Sequence, residues 1–192
     1  MSELKVNKLS PATGTAFTLG DSGDTFSIPS GATFANNGTA TGFGGGKVGQ
    51  CLQTVKTDTT SSNNTTFNTL ISVAITPSAT SFKILVFYHF QAFGYNAGSC
   101  IRLVRDSTAI YVGDSAGSRI QGSGNYKNPN TESIVSLSGN FLDSPSSTAS
   151  LSYLLQMRSN GGTDYINRSS ADANSTDATR VPSSITVMEI LA

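Results

Sequence analysis

The sequence has 192 residues, and its 12 basic and 12 acidic side chains leave no formal net charge. Charged residues make up 12% of the chain, about half the usual share of a globular protein. Because phosphate contacts need a local excess of cations, this composition excludes a general nucleic-acid binder. Ten Phe and six Tyr supply apolar anchors, so the composition is not that of a wholly disordered chain.

The chain shows neither a secretory leader nor a membrane span. Residues 1–8 are polar and of mixed charge, and no apolar stretch follows them. The longest unbroken apolar run, Ile84–Tyr88, is far shorter than the ~20 residues that a membrane helix needs. Cys51 and Cys100 could form a bridge, but two small buried thiols fit a cytosolic site of synthesis better.

Residues 1–49 are rich in Gly, Thr and Ser, and their few large side chains recur at a nearly constant interval. Four phenylalanines, spaced 9, 8 and 9 residues apart, mark the repeat: Phe17, Phe26, Phe34 and Phe43. Turn sequences separate them at residues 20–23, 29–31 and 36–38. The pattern predicts short strands that each carry one Phe and end in a turn.

Such a unit cannot bury its ring alone, because isolated two-stranded elements are marginal in water. Three copies of the chain around an axis would bring three rings together at each level, and each ring would bury ~150–250 Å². We therefore interpret residues 1–49 as an arm or stalk with the four phenylalanines on a trimer axis. An arm that lies along another protein and a disordered segment are the alternatives.

From Cys51 onward the sequence has the alternating pattern of strands. Eight segments are predicted as strands: residues 70–76, 82–90, 100–105, 109–112, 133–142, 149–157, 164–168 and 184–191. The second is apolar on both faces, which predicts a central strand that is covered on both sides. The sequence SNGG at 159–162 predicts a hairpin between the sixth and seventh strands.

Several strands are apolar on both faces, and no stretch has convincing helical periodicity. A neighbouring subunit that covers the outer face of one sheet would explain this, and ordinary irregularity of a sandwich is the alternative. The predicted fold class is all-β: an N-terminal extended repeat arm or stalk over residues 1–49, followed by a C-terminal antiparallel β-sandwich, similar to a jelly roll, over residues 50–192.

The motifs typical of catalysis do not form a consistent site. The sequence GDSAG at 113–117 matches a nucleophile elbow, but the elbow needs a strand-to-helix turn and no helix is predicted. A triad would need His89 with Asp106 and Ser115, at spacings far too short for a chymotrypsin-like fold. One His and two Cys do not have the spacing of a zinc site, and the glycine-rich sequence at 44–49 has neither the βαβ unit nor the end residues that a nucleotide site needs. We therefore expect no enzymatic activity, no cofactor and no metal.

Two loops rich in Tyr, Asn, Gly and Arg suit adaptable polar contacts with sugars or proteins. The candidate receptor residues in these loops are Tyr95, Asn96, Arg119, Asn125 and Tyr126. Solvated connections without a ligand are the alternative.

Three segments resemble virion fibre and appendage proteins of tailed phages, especially marine and cyanobacterial ones: MSELKVNKLS at 1–10, IPSGATFANNGTATGFGGGKV at 28–48 and SITVMEI at 184–190. The resemblance implies a homotrimer whose N-terminal segment attaches to the particle and whose C-terminal β-domain projects from it. Leu4, Val6 and Leu9 would fall in the attachment segment. In such proteins the distal loops often meet polysaccharide or protein on the host surface.

We therefore expect a structural protein of a phage virion, assembled in the cytoplasm of the bacterial host. It would be a trimeric tail fibre or short appendage with a role in host attachment. Its partners would be its own copies, other tail or capsid proteins bound through the N-terminal arm, and polysaccharide or protein of the host surface. The alternatives are a capsid decoration or capsid fibre protein, and a stand-alone lectin-like carbohydrate-binding protein.

Overall fold

The computed structural model describes residues 10–11, 13–16, 18, 20–33, 47–94, 98–128 and 131–191. The chain divides into two compact units, Met1–Phe43 and Gly44–Ala192. Within the described ranges, no helix has the length and apolar character needed to cross a membrane.

The described residues of the first unit form turns and no strand. In one turn the Asp24 N–H donates to the Asp21 carbonyl at 3.0 Å, and the Asp21 N–H donates to the Asp24 carboxylate at 2.8 Å. The Ala32 N–H closes a second turn on the Pro29 carbonyl at 3.1 Å. Both turns lie where the sequence predicts them. Phe26 is 65% exposed.

The other residues predicted for the stalk axis and for attachment lie outside the described residues: Leu4, Val6, Leu9, Phe17, Phe34 and Phe43. The predicted short strands are absent from the part of this unit that is described. A strand needs a hydrogen-bonding neighbour, and here the single chain provides none.

The second unit is all-β, with no helix among its described residues. The described part of the unit contains eleven strands: β1 (Val48–Lys56), β2 (Thr60–Ser62), β3 (Asn68–Ile75), β4 (Lys83–Phe93), β5 (Ser99–Arg105), β6 (Thr108–Ile110), β7 (Gly124–Tyr126), β8 (Val135–Asp143), β9 (Leu151–Arg158), β10 (Asp164–Ile166) and β11 (Ser183–Ile190).

All strand pairings are antiparallel, and they are nested along the chain. Strand β1 pairs with β11, β2 with β10, β3 with β9, β4 with β8 and β5 with β7. Further pairings of β4 with β10 and β11, and of β5 with β6 and β9, join these pairs into two sheets. The first sheet holds β1, β2, β4, β8, β10 and β11, and the second holds β3, β5, β6, β7 and β9.

One face of each sheet contributes to a common hydrophobic core. Val86 and Phe90 of β4 are at most 1% exposed, and Leu103 of β5 and Leu155 of β9 are fully buried. Successive side chains of a strand point to opposite faces, so β9 is buried at every second position. Each such large apolar side chain contributes roughly 1.5–3 kcal/mol on burial, which makes this core the main source of stability.

All eight predicted strand segments are strands, with ends that shift by at most three residues. Strands β1, β2 and β7 are not among the predicted segments. Strand β1 is rich in Gly, Gln, Thr and Lys and pairs on one side only, with β11. Strands β2 and β7 have only three residues each, too few for alternation to be recognised.

The hairpin predicted at residues 159–162 is wrong. Strand β9 belongs to the second sheet and β10 to the first, so this turn carries the chain from one sheet to the other. Gly161 and Gly162 do adopt positive φ, at 124° and 88°. The sequence therefore indicated a true turn, but turn residues do not fix which strands pair.

A partly buried ion pair links the two sheets at one end. The Arg105 guanidinium of β5 donates to both carboxylate oxygens of Asp143 of β8, at 2.8 and 2.7 Å. The Tyr153 hydroxyl of β9 donates to the same carboxylate at 2.6 Å. The hydrogen bond to Asp143 is the main reason that the pKa of Arg105 is raised. Asp143 thus satisfies donors from two strands of the opposite sheet.

Replacing Asp143 by Asn should lower the free energy of unfolding by about 2–4 kcal/mol, because Arg105 loses its buried counter-ion. Asp172→Asn is the matched control, because the Asp172 carboxylate, which pairs with Arg168 and Arg180, is 28% exposed against 7% for Asp143, and its loss should cost at most about 1 kcal/mol. Urea unfolding followed by circular dichroism measures both. Equal losses would contradict a special role of the Asp143 network.

A second buried carboxylate fixes the last strand to the loop after β3. Glu189 is 1% exposed. It accepts hydrogen bonds from the Ser78 N–H at 2.5 Å, the Ser78 hydroxyl at 2.7 Å and the Gln50 side-chain amide at 2.9 Å. Burial alone would raise the pKa of Glu189, but the donors of Ser78 and Gln50 outweigh it and hold this pKa below 4.5.

Because the pKa of Glu189 is lower in the folded chain, the unfolded chain binds more protons at acidic pH. The stabilisation is complete above the ordinary pKa and is lost as the pH falls through the folded value. The free energy of unfolding should therefore fall more steeply between about pH 5 and pH 3 in the wild type than in Glu189→Gln. The exposed Asp177→Asn variant should keep the wild-type slope. Parallel curves for wild type and Glu189→Gln would refute this account.

Candidate functional site

A cleft of 510 Å³ lies between the outer face of the second sheet and the loop that joins β6 to β7. Its volume is within the range of small-ligand sites. The side chains that give it its chemistry are those of Cys100, Arg119, Ile120, Asn125, Arg158 and Asn160. We call it the arginine cleft.

The floor of the arginine cleft is a row of side chains across three strands. Cys100 of β5 lies opposite Asn125 of β7 on one side and opposite Arg158 of β9 on the other. Directly opposite residues of an antiparallel pair project to the same face of a sheet. Because the neighbours Ile101 and Met157 point into the core, this row must point outward.

The wall of the cleft is the β6–β7 loop, residues 111–123, and Ser123 fixes it to the edge of β5. The Ser123 N–H donates to the Ile101 carbonyl at 2.8 Å. Its hydroxyl accepts from the Leu103 N–H at 2.8 Å and donates to the Tyr111 carbonyl at 2.8 Å. Ser123 thus holds both ends of the loop, at residues 111 and 123, close to strand β5.

At Gly122 the β6–β7 loop packs directly against Cys100 in the floor of the cleft. A Cβ atom at this position would collide with Cys100 Sγ and would lie 2.9 Å from the Ile101 carbonyl oxygen. The close approach leaves Cys100 only 8% exposed. Burial raises the pKa of the Cys100 thiol, and the positive charges of Arg158 and Arg102 offset part of this rise.

The two arginines of the cleft make hydrogen bonds to backbone carbonyls only, among the described residues. Arg158 donates from Nε to the Thr65 carbonyl at 2.5 Å, and Arg119 donates from Nη1 to the Ala116 carbonyl at 3.3 Å. In the described part of the chain neither forms an ion pair, and no carboxylate lines the cleft. The cleft therefore carries two positive charges that have no counter-ion among the described residues.

The structure brings two of the predicted receptor residues, Arg119 and Asn125, together in this cleft. Tyr95 and Asn96 lie outside the described residues. Arg158 was missed by the sequence analysis, because the predicted sixth strand ends at residue 157 and the observed strand β9 continues through Arg158. Only the pairing of β9 with β5 places it beside Cys100.

The prediction of Tyr126 as a receptor residue is wrong for this structure. Its side chain is 2% exposed, and its hydroxyl donates to Asp164 Oδ2 at 3.1 Å. Its ring meets that of Phe90 edge to face, with centroids 5.7 Å apart. Burial is the main cause of the raised pKa of Tyr126. The segment is strand β7 rather than a loop, so Asn125 points outward and Tyr126 points inward.

The outer face of the first sheet carries an uncovered row of apolar side chains. Cys51 pairs with Met188, Met188 with Leu85 and Leu85 with Leu142, so the row crosses β1, β11, β4 and β8. Leu142 is 47% exposed, and Phe87 beside the row is 40% exposed. We call these five residues the apolar row.

Strand β4 is central, as predicted, but in the single chain it is covered on one face only. The cysteines are both free, and Cys51 is exposed rather than buried as expected. The apolar row crosses the open face from the edge strand β1 to β8 on the opposite side of β4.

The residues of the hypothetical triad make other contacts. A ring nitrogen of His89 lies 3.0 Å from Ser138 Oγ on the first sheet. Asp106 accepts from the Ser152 N–H at 2.8 Å, in a turn of the second sheet. Among the described residues, no three His, Cys, Asp or Glu side chains form a group able to hold a metal ion.

Replacing Gly122 by Ala should displace the loop from Cys100, because Cys100 Sγ and the Ile101 carbonyl oxygen occupy the space that the new Cβ needs. In a Cys51→Ser background, Gly122→Ala should speed the reaction of Cys100 with a soluble disulfide reagent about tenfold. Gly113→Ala is the matched control in the same loop, since a Cβ there meets nothing within 4 Å. Equal rates in the two variants would mean that the loop does not cover Cys100 in solution.

No protein-family model matches this chain. No curated protein matches its sequence either. The functional interpretation therefore depends on the residues and contacts described above.

Proposed function

We propose that this protein is a structural protein of a phage virion, a homotrimeric tail fibre or short appendage whose C-terminal domain contacts the host surface. The observation that carries the proposal is the apolar surface that a single chain leaves in water. Phe26 is 65% exposed, and Phe87 and Leu142 of the apolar row are 40% and 47% exposed. Sister chains would bury these groups.

The second unit is, in this proposal, a jelly-roll sandwich. The nested pairing supports this, because it is that of one long antiparallel hairpin rolled into two sheets. Jelly rolls occur in viral capsid proteins and in lectins. Because several functions share this fold, the fold does not assign a function. The role of this protein depends instead on the apolar row and the arginine cleft.

The charge distribution of the open face favours a second copy as its occupant. On the same face the apolar row is flanked by the neutral residues Gln53, Thr186 and Asn140 on one side, and by Ile190 and the cation Lys83 on the other. A face that is uncharged over its centre can pack against a surface of the same protein with little like-charge repulsion. Depletion of charged residues is also what distinguishes the centre of subunit interfaces.

Trimerisation would strengthen binding of a ligand at the arginine cleft. Three weak sites on one particle appendage act together, because binding of the first raises the effective concentration of the others. A stand-alone lectin-like protein is the second candidate, and the arginine cleft is the observation that favours it. A capsid decoration protein would share the trimer and differ in its place on the particle.

Native mass spectrometry of the full-length protein should give about 60 kDa, three times the chain mass of 19.9 kDa. Gold-labelled antibody against residues 50–192 should then mark the tail or an appendage of intact particles. Labelling spread over the capsid would favour the decoration protein. A mass near 20 kDa, or particles without label, would overturn the proposal.

Charges placed on the apolar row should weaken association. Phe87→Lys combined with Leu142→Lys should shift the dissociation midpoint at least tenfold toward higher protein concentration, because lysines cannot be buried without a partner. Ile120→Lys is the matched control, since Ile120 is 49% exposed but lies in the β6–β7 loop. Unchanged association of the double variant would show that the open face is not a subunit contact.

A further inference from the structure

We infer that the arginine cleft binds a saccharide bearing an anionic group, held by the guanidinium groups of Arg119 and Arg158. This inference depends on the proposed host-attachment function and names its ligand class. The anionic group is a carboxylate, or a sulfate or phosphate ester, attached to a hydroxyl-rich ring.

The charge of the cleft is the first argument. Other arginines of this unit are satisfied by side chains: Arg105 by Asp143, Arg168 and Arg180 by Asp172, and Arg102 by Gln156. In the described part of the chain, Arg119 and Arg158 each donate one side-chain hydrogen bond, to a backbone carbonyl. A guanidinium has five N–H donors, so most remain for a ligand. Arginine binds carboxylate and phosphate oxygens in pairs, which fixes both position and orientation.

The polar groups between the arginines are the second argument. Asn125 uses its amide N–H on the Ser99 carbonyl at 2.9 Å, which orients its amide oxygen for another donor. Asn160 brings a second amide to the rim, and Gly98, Gly122 and Gly124 leave backbone groups accessible in the lining. Such short, neutral donors and acceptors match the hydroxyl groups of a sugar ring.

The apolar lining is too small for other ligand classes. Ile120 is the single large apolar side chain among the described residues of the lining, and none of them is aromatic. An apolar peptide side chain would find little surface to bury, and a nucleobase would find no ring on which to stack. The observations therefore favour a hydrophilic ligand with a negative charge.

The cleft is also held in shape before any ligand arrives. Ser123 makes three hydrogen bonds at 2.8 Å that fix the end of the loop, and Gln121 donates to the Gly113 carbonyl at 2.7 Å across it. A preformed site avoids the cost of ordering a loop on binding.

Isothermal titration calorimetry of the full-length protein tests the inference with three oligosaccharides of equal length: an oligogalacturonide, a sulfated oligogalactan and a neutral oligogalactan. At least one anionic oligosaccharide should bind at least tenfold more tightly than the neutral one. Raising the salt concentration should weaken this binding, because screening acts on charge-assisted contacts at the surface. The anionic oligosaccharide that binds more tightly decides between a carboxylate and an ester anion.

Variants assign the binding to the cleft. Arg119→Ala and Arg158→Gln should each weaken it at least tenfold. Arg180→Ala removes an equal charge from an arginine outside the cleft and should leave the affinity unchanged. Among the described residues, the Arg119 side chain donates its hydrogen bond within its own loop, so its variant keeps the test valid even if Arg158→Gln disturbs the contact with Thr65.

Three results would overturn the inference: no binding of either anionic oligosaccharide, equal binding of the neutral one, or full affinity in both arginine variants. These outcomes are separable from failure of the proposed function. A trimer on the particle that binds neither anion overturns the ligand assignment alone. A monomer that binds an anion through Arg119 overturns the fibre and supports the lectin-like alternative.

Discussion

The burial of one face of each sheet in a shared core is the interaction on which the rest of the structure depends. Val86 and Phe90 of β4 pack in this core with Leu103 and Leu155 of the facing sheet, and all are at most 1% exposed. Because side chains alternate along a strand, this burial fixes which residues point away from the core. Each outer face must then meet water, a loop or another molecule, and this is where the candidate functions lie.

The two outer faces meet this requirement in different ways. On the second sheet, the β6–β7 loop covers Cys100 and forms a polar cleft with Arg158 and Asn125. On the first sheet, the apolar row from Cys51 to Leu142 has no cover within the described chain. The first arrangement suits a small charged ligand, and the second suits a large neutral surface. A trimeric attachment protein would use both.

The alternation of apolar and polar residues was sufficient to predict eight of the eleven described strands and the all-β class, because this alternation reports which face of a segment is buried. It was not sufficient to predict which strands pair. The turn at residues 159–162 has hairpin residues, yet it connects the two sheets, since the core places β9 beside β5. The same limit explains the site: Arg119 and Asn125 were found as loop-like residues, whereas Arg158 joins them only through pairing. Tyr126 was misjudged because a three-residue strand is too short to show its alternation.

The central claim is that sister chains cover the apolar surface that one chain leaves exposed. Cys51 tests this most directly, because it is exposed in the single chain and lies at one end of the apolar row. The measurement is its rate of alkylation in the full-length protein, followed by peptide mass over a range of protein concentrations. The account predicts slow labelling in the assembled protein and a rise to the rate of an open thiol when dilution separates the chains. A fast rate that does not change with concentration would contradict it.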